Sequence, residues 1–504
     1  MNISNVDAII IVLYLLGVAI FGIYMAGKQS GVKDYFLGNK SIPWWAACFS
    51  IVATETSTLT FISIPGVAYI SNMNFLQLAI GFIIGRIVIA FVFIPRYYKG
   101  QIETAYQFIG NRFGDPMRKY TSSTFIFLRI FADGVRLFTT AIPIKLITGL
   151  GYFECILIVG IITVIYSYIG GIKAVIWTDV VQMLIYFLGA LFAIYIIIDM
   201  LPNGWADVVR FAEPDDKFQV INFAIQEKLS LTEFFTGGIG IIGGIIGGAF
   251  LSMASHGTDQ MIVQRVLTCK DKRSSQMAII FSGLIVFLQF AIFLIIGVML
   301  YAFYEGLPFK EMFVQNHALT KPDEIFPKFI IEQLPVGVVG IVVSGLLAAS
   351  MSTLSSTFNA LSSATILDLF GDKFSGNSEE TKLKYSKLAT LFWAIVIIST
   401  GMLFQSETNP AVDYALKIQS MIYGGLLGVF LLGMFNKDAR AVDAAVSYSV
   451  SIVILVLLFL LPKFGLIPEL NLTWFTMFGV IIVFLVSFVT EIFGRSPESN
   501  STLK

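Results

Sequence analysis

Polar residues are sparse along this chain, and their placement divides it into apolar runs of about 20 residues, the length an α-helix needs to cross a bilayer. About 13 such runs follow one another, at roughly 7–26, 43–70, 74–97, 120–149, 154–170, 174–201, 234–265, 274–303, 336–370, 383–405, 411–435, 441–462 and 471–493. They are continuous and do not alternate at period two, which excludes an outer-membrane barrel. The pattern predicts an all-α polytopic membrane protein. Asp7 opens the first run with no basic segment before it, so that run reads as a first span rather than a cleaved signal. The tail after Arg495 (SPESNSTLK) reads as disordered.

Three runs depart from the plain pattern. The second holds SIVATETSTLTFISIPG, with Glu55 and a string of Thr and Ser inside it and Pro65-Gly66 at its end. The seventh holds GGIGIIGGIIGG followed by SMASHGTDQ. Both are candidates for interrupted helices, and they lie five runs apart. Paired interrupted helices at matching positions of two halves point to a midplane site in an inverted-repeat transporter. The ninth run, SGLLAASMSTLSSTFNALSSATILD, carries a stripe in which Ala349, Ser352, Thr353 and Ser356 fall on one helical face, with Ser355 beside it. Small hydroxyls there either let helices approach closely or offer oxygens to a hard cation.

Composition agrees with the pattern. Residues are 56% hydrophobic and 13% charged, against about a quarter charged in soluble proteins. A formal net charge of zero and no basic domain argue against a nucleic-acid partner. Three widely spaced cysteines and two histidines make no metal or disulfide framework, and no nucleophile–base pair marks an enzyme. In the connections, 21 Lys and Arg fall on one side against 7 on the other. That asymmetry places the multi-pass chain in the plasma (inner) membrane with its N-terminus outside and its C-terminus cytoplasmic.

Charged and amide residues inside runs are candidate functional groups. Asp179 is either an interfacial cap or a carboxylate for a monovalent cation. Arg129, Asp133 and Arg136 share a helix face; they neutralise one another or leave one guanidinium for an anionic solute group. Gln419, next to Lys417, is an interhelical hydrogen-bonding group or a reader of solute hydroxyls, and Gln77 has a weaker claim to the same role. Glu55 has to be paired, protonated or wet. Lys145 snorkels.

The segments YSYIGGIKAVIWTDVVQ, GTDQMIVQRVL, KIQS and AASMSTLSSTFNALSS together resemble the sodium:solute symporter family, which includes sodium/glucose cotransporters and bacterial sialic acid transporters. The resemblance covers nearly the whole chain. It implies a 5+5 inverted-repeat, leucine-transporter-like core: residues 1–40 an extra N-terminal helix and loop, 41–201 the first repeat, 202–435 the second with its external loops, and 436–504 two peripheral helices and a tail. For one sodium ion it implies the carbonyls of Ala53, Thr56 and Ala349 and the hydroxyls of Ser352 and Thr353. For a second it implies Asp179 with Ser352, Ser355 and Ser356. Solute contacts carried over are Ser57, Thr60 and Gln419, beside the candidates Gln77, Asp133 and Arg136; the family's carboxylate-binding arginine aligns with Ala132, between Arg129 and Arg136. The implied function is sodium-coupled import of a sugar or a sugar acid such as sialic acid. Proton coupling, a monocarboxylate or amino-acid solute, and a non-transporting sensor or channel are the alternatives.

Overall fold

The structure, a computed structural model, describes residues 4–223, 230–237, 240–311, 321–374, 376–404 and 410–494. The tail from 495, with the disorder expected there, and the Lys417 side chain lie outside the described residues.

Among the described residues the chain is helical, with a single isolated β-bridge between Ile42 and Cys269. The principal helices are α1 (Asn5–Ala26), α2 (Trp44–Glu55), α3 (Thr58–Ile70), α4 (Leu76–Lys99), α5 (Asp115–Thr148), α6 (Tyr152–Met200), α7 (Ile241–Gly257), α8 (Gln260–Leu267), α9 (Lys272–Phe303), α10 (Val338–Leu369), α11 (Glu379–Leu403), α12 (Pro410–Phe435), α13 (Ala441–Leu460) and α14 (Phe475–Gly494). Among the described residues, eight helices are long and apolar enough to cross a membrane, or up to ten with each bent pair taken as one span. The remaining expected runs are also helical. The 49-residue α6 is two runs joined at Gly171, whose left-handed backbone (φ 55°) reverses the chain. The other two are α5, charged at its centre, and α12.

The two interrupted helices are the organising feature. The α2–α3 pair bends by 66° and the α7–α8 pair by 65°. Both breaks fall elsewhere than at the glycines and proline that drew notice in the sequence. α2 stops where Thr56 turns extended (ψ 103°), and Ser57 caps α3 by accepting from the Thr60 N–H. Pro65 lies inside α3, and Gly66 and Gly297 bring that helix close to the 322–324 turn and to α9. Likewise the glycine run of α7 is a packing face: a Cβ on Gly248 would sit 2.4 Å from the Leu78 carbonyl oxygen of α4. The break follows at Thr258, with Asp259 capping α8 through the Met261 N–H.

α10 lies at the centre, buried along nearly its whole length between α6, α1, α5 and α11. Asp7 fastens α1 to its start, accepting from the backbone N–H groups of Gly337 and Gly340 at 2.8 Å each. A hydroxyl stripe on so buried a helix faces protein on every side.

Candidate cation and solute site

The last helical hydrogen bond of α2 runs from the Thr56 N–H to the Val52 carbonyl. The carbonyls that follow are left without helical donors, as at any helix C-terminus. α10 brings its stripe against them. The Ser352 hydroxyl lies 2.7 Å from the Ala53 carbonyl oxygen and 3.1 Å from that of Ala349. Thr353 Oγ1 lies 3.2 Å from the carbonyl oxygens of both Thr54 and Ala349. Four of the five oxygens expected for one sodium, from Ala53, Ala349, Ser352 and Thr353, therefore converge from two elements. The fifth residue, Thr56, sits at the break itself, its hydroxyl tied to Gln289 and Val52. A set of neutral oxygens suits a monovalent ion that must also leave.

Asp179 is buried, two turns past the Gly171 reversal. The interfacial-cap reading fails because Lys173, the cation at that end, pairs instead with Asp34 at 2.6 Å. The carboxylate's partners are the Ser50 hydroxyl at 2.5 Å and the Arg265 guanidinium at 3.0 Å. Arg265 also donates to Ser50 and Ser356, and Ser356 lies 3.0 Å from Thr54 Oγ1. Ser355 bonds the Ser352 carbonyl at 3.0 Å. The second constellation thus gathers Asp179 and Ser356 around a guanidinium. Asp179 Oδ1 is buried with no hydrogen-bond partner among the described residues.

Arg265 is the functional residue that sequence reasoning missed. At the edge of its run it counted as a loop cation, yet it is wholly buried on α8. The signal was available: a buried carboxylate needs a counter-ion, and Arg265 is the cation on the half-helix following the second break.

A cavity of about 260 Å³ opens between the two breaks, lined among others by Thr54, Glu55, His256, Met261, Arg136 and Gln419. The two arginines of α5 have different roles in it. Arg129 is bound to Asp259 and to the Tyr423 hydroxyl (2.8 Å), which locks α5, the second break and α12 together. Arg136 keeps 26% of its side chain exposed and donates to Asp133 at 3.2 Å and to Gln419 Oε1 at 3.0 Å. Asp133 itself is buried, accepts from Thr357 of the stripe at 2.8 Å and pairs with Arg129 at 3.4 Å, so it meets the cavity through the two arginines. Glu55 is paired, with Arg86 and His256.

Three solute candidates lie apart from the cavity lining. Gln77 is fully buried and accepts from the Asn222 N–H at 3.1 Å, which makes it an anchor for the 202–223 connection. Ser57 and Thr60 face one another at 3.3 Å across the first turn of α3. Lys145 rests its ammonium 3.8 Å from the Tyr152 ring centre.

A core of interrupted helices, with ion oxygens and a polar cavity at the breaks, defines a secondary active transporter. The sodium:solute symporter family profile matches residues 35–450. The chain belongs to that family, and sodium-coupled solute symport is its activity. It is 27% identical over 481 residues to a sodium/sialic acid symporter of Aliivibrio fischeri, covering 95% of this chain and 91% of that one. It is 25% identical over 517 residues to a sodium/glucose cotransporter of Vibrio parahaemolyticus, covering 99% and 93%. Its fold is similar to that of a Na+-coupled sialic acid symporter solved substrate-bound and outward-open, with a TM-score of 0.85, 26% identity, and 98% and 99% of the two chains covered. These relatives are transporters, not enzymes.

Proposed function

We propose that this symporter imports a carboxylate-bearing sugar, a sugar acid of the sialic acid kind. The observation that carries the reading is Arg136, a part-exposed guanidinium beside Gln419 in a cavity between both breaks. Its planar fork suits a carboxylate, and Gln419 offers an amide to a hydroxyl. The neighbouring Asp133 holds the guanidinium in place but leaves it shared, so an incoming carboxylate meets a donor already oriented. Similarity to a sialic acid symporter and to a sugar cotransporter supports the same solute class.

In this reading one sodium binds among Ala53, Thr56, Ala349, Ser352 and Thr353, bridging the first break to α10. A second binds at Asp179, using the free Oδ1 and the Ser355–Ser356 turn. Sodium raises solute affinity by ordering the break that lines the cavity. The repeats are 41–201 and 202–435, with the N-terminus outside.

Uptake into proteoliposomes under an imposed sodium gradient tests the reading. Sialic acid uptake by the wild type is expected to depend on the gradient. Arg136→Ala is expected to raise KM about 10- to 100-fold, the loss of a charge-assisted hydrogen bond, while the sodium dependence stays. If neutral sugars are taken up and acids are not, the carboxylate assignment is wrong.

A further inference from the structure

Away from the transport pathway, three connections meet: the one between α1 and α2, the end of α4, and the turn between α8 and α9. The Ile42 N–H donates to the Thr268 carbonyl at 3.2 Å, and the Tyr98 hydroxyl bonds the Cys269 carbonyl at 3.0 Å and Ser275 at 2.8 Å. Between them lies a cavity of about 480 Å³ into which Lys33, Lys40, Lys270 and Lys272 converge. The lining carboxylates are Glu103 and Asp271, so the wall carries two excess positive charges. Asp271 is committed elsewhere: it caps α9 through the Ser274 N–H at 2.8 Å, and that bond holds its carboxyl below the ordinary value.

None of the four lysines forms an ion pair among the described residues; Lys40 rests 5.4 Å from the Tyr98 ring centre. Lys119, Lys173 and Lys382, read from sequence as on the same side of the membrane, each have a carboxylate partner. Four ammonium groups outnumber the two lining carboxylates, so the arrangement favours a further anion between them. Lys40 and Gln101, both in the lining, hold left-handed backbones (φ 55° and 47°), a conformation that costs energy in residues with a Cβ. Tryptophans close by in the chain suit a cavity at headgroup depth. Trp44 and Trp45 begin α2 a few residues past Lys40, and Trp45, 39% exposed, packs 5.4 Å from Trp177. Exposed tryptophans mark the membrane–water interface.

We infer that this lysine-lined cavity binds the phosphate of an anionic lipid headgroup from the cytoplasmic leaflet. Bound there, the phosphate ties the α1–α2 connection and the end of α4 to the α8–α9 turn, so both interrupted helices share one anchor. The cytoplasmic placement depends on the orientation proposed above, but binding itself needs neither sodium nor solute.

The full chain in nanodiscs, without sodium gradient or solute, tests this. Phosphatidylglycerol in place of phosphatidylcholine is expected to raise the melting temperature, less so as salt rises. A variant with Lys33, Lys40, Lys270 and Lys272 all changed to Gln is expected to lose that shift. Its affinity for phosphatidylglycerol in native mass spectrometry is expected to fall about five-fold per lysine removed. A control with Lys373, Lys384, Lys387 and Lys437 changed to Gln is expected to keep both. An equal loss in the control would reduce the effect to general surface charge and overturn the site, as would an undiminished shift in the four-lysine variant. If pyrophosphate in phosphatidylcholine discs gives the stabilisation and phosphatidylglycerol does not, the lipid assignment is overturned in favour of a soluble phosphate.

Discussion

Ser352 and Thr353 each place a hydroxyl within 3.2 Å of two carbonyls, and that crowding of oxygens is what an ion finds attractive. Removing either oxygen takes one ligand from the proposed sodium set. Ser352→Ala and Thr353→Ala are each expected to raise the sodium concentration for half-maximal uptake about 10-fold or more, while Thr353→Ser, which keeps the oxygen, changes it little. Sodium titrations of uptake measure both. The hydroxyls further along α10 behave differently. Ser362 donates to the Ser386 carbonyl at 2.8 Å, and Thr365 accepts from the Trp393 indole at 2.9 Å, so both fasten α10 to α11. Their replacement by Ala is expected to lower thermal stability and leave sodium affinity unchanged.

At the scale of elements, the buried pair of Asp179 on α6 and Arg265 on α8 joins the two proposed repeats. Breaking a buried pair from one side leaves an uncompensated charge, so Arg265→Ala is expected to cost about 3–5 kcal/mol, and Asp179→Asn with Arg265→Gln to recover most of it. Chemical or thermal unfolding in detergent reads the difference. Asp179→Ala is also expected to lower the sodium Hill coefficient toward one, and an unchanged coefficient would remove the second sodium. Close packing gives a second element-scale test. Gly248→Leu drives a side chain into the α4 backbone and is expected to cost about 1–3 kcal/mol, whereas a Cβ on Gly17 meets nothing within 4 Å, and Gly17→Ala is expected to be silent. These elements also mark where sequence reading stopped. Span lengths and the two interrupted runs were legible, because hydropathy and hydroxyl spacing are local properties. The first break fell inside the Ala53–Ser57 stretch read from sequence, whereas the second lies past the glycine run, whose members serve as contact points between helices. The partner of Asp179 went unread because it lies 86 residues away on an element whose edge resembles a loop.

For the whole molecule, the excess of Lys and Arg on one set of connections predicts the direction of insertion, and the structure gathers three of those connections around one cavity. A cysteine introduced at Ser4 is expected to react with a membrane-impermeant thiol reagent in intact cells, and one at Asp438 only after permeabilisation. The opposite pattern would invert the topology and place the lysine cavity in the other leaflet.

In the two-sodium reading, the Asp179–Arg265 pair also sets how steep a gradient the cell can hold. The proposed solute is an anion, so one sodium carried with it moves no net charge and the membrane potential adds nothing to its accumulation. A second sodium leaves one net charge crossing about 100 mV, about 2.3 kcal/mol, enough for about 50-fold accumulation from the potential. An arginine that keeps the carboxylate to itself confines the cell to the first case, and one that yields it to an ion grants the second. In the proposed two-sodium mechanism, that one guanidinium separates an electroneutral importer from one that draws on the membrane potential.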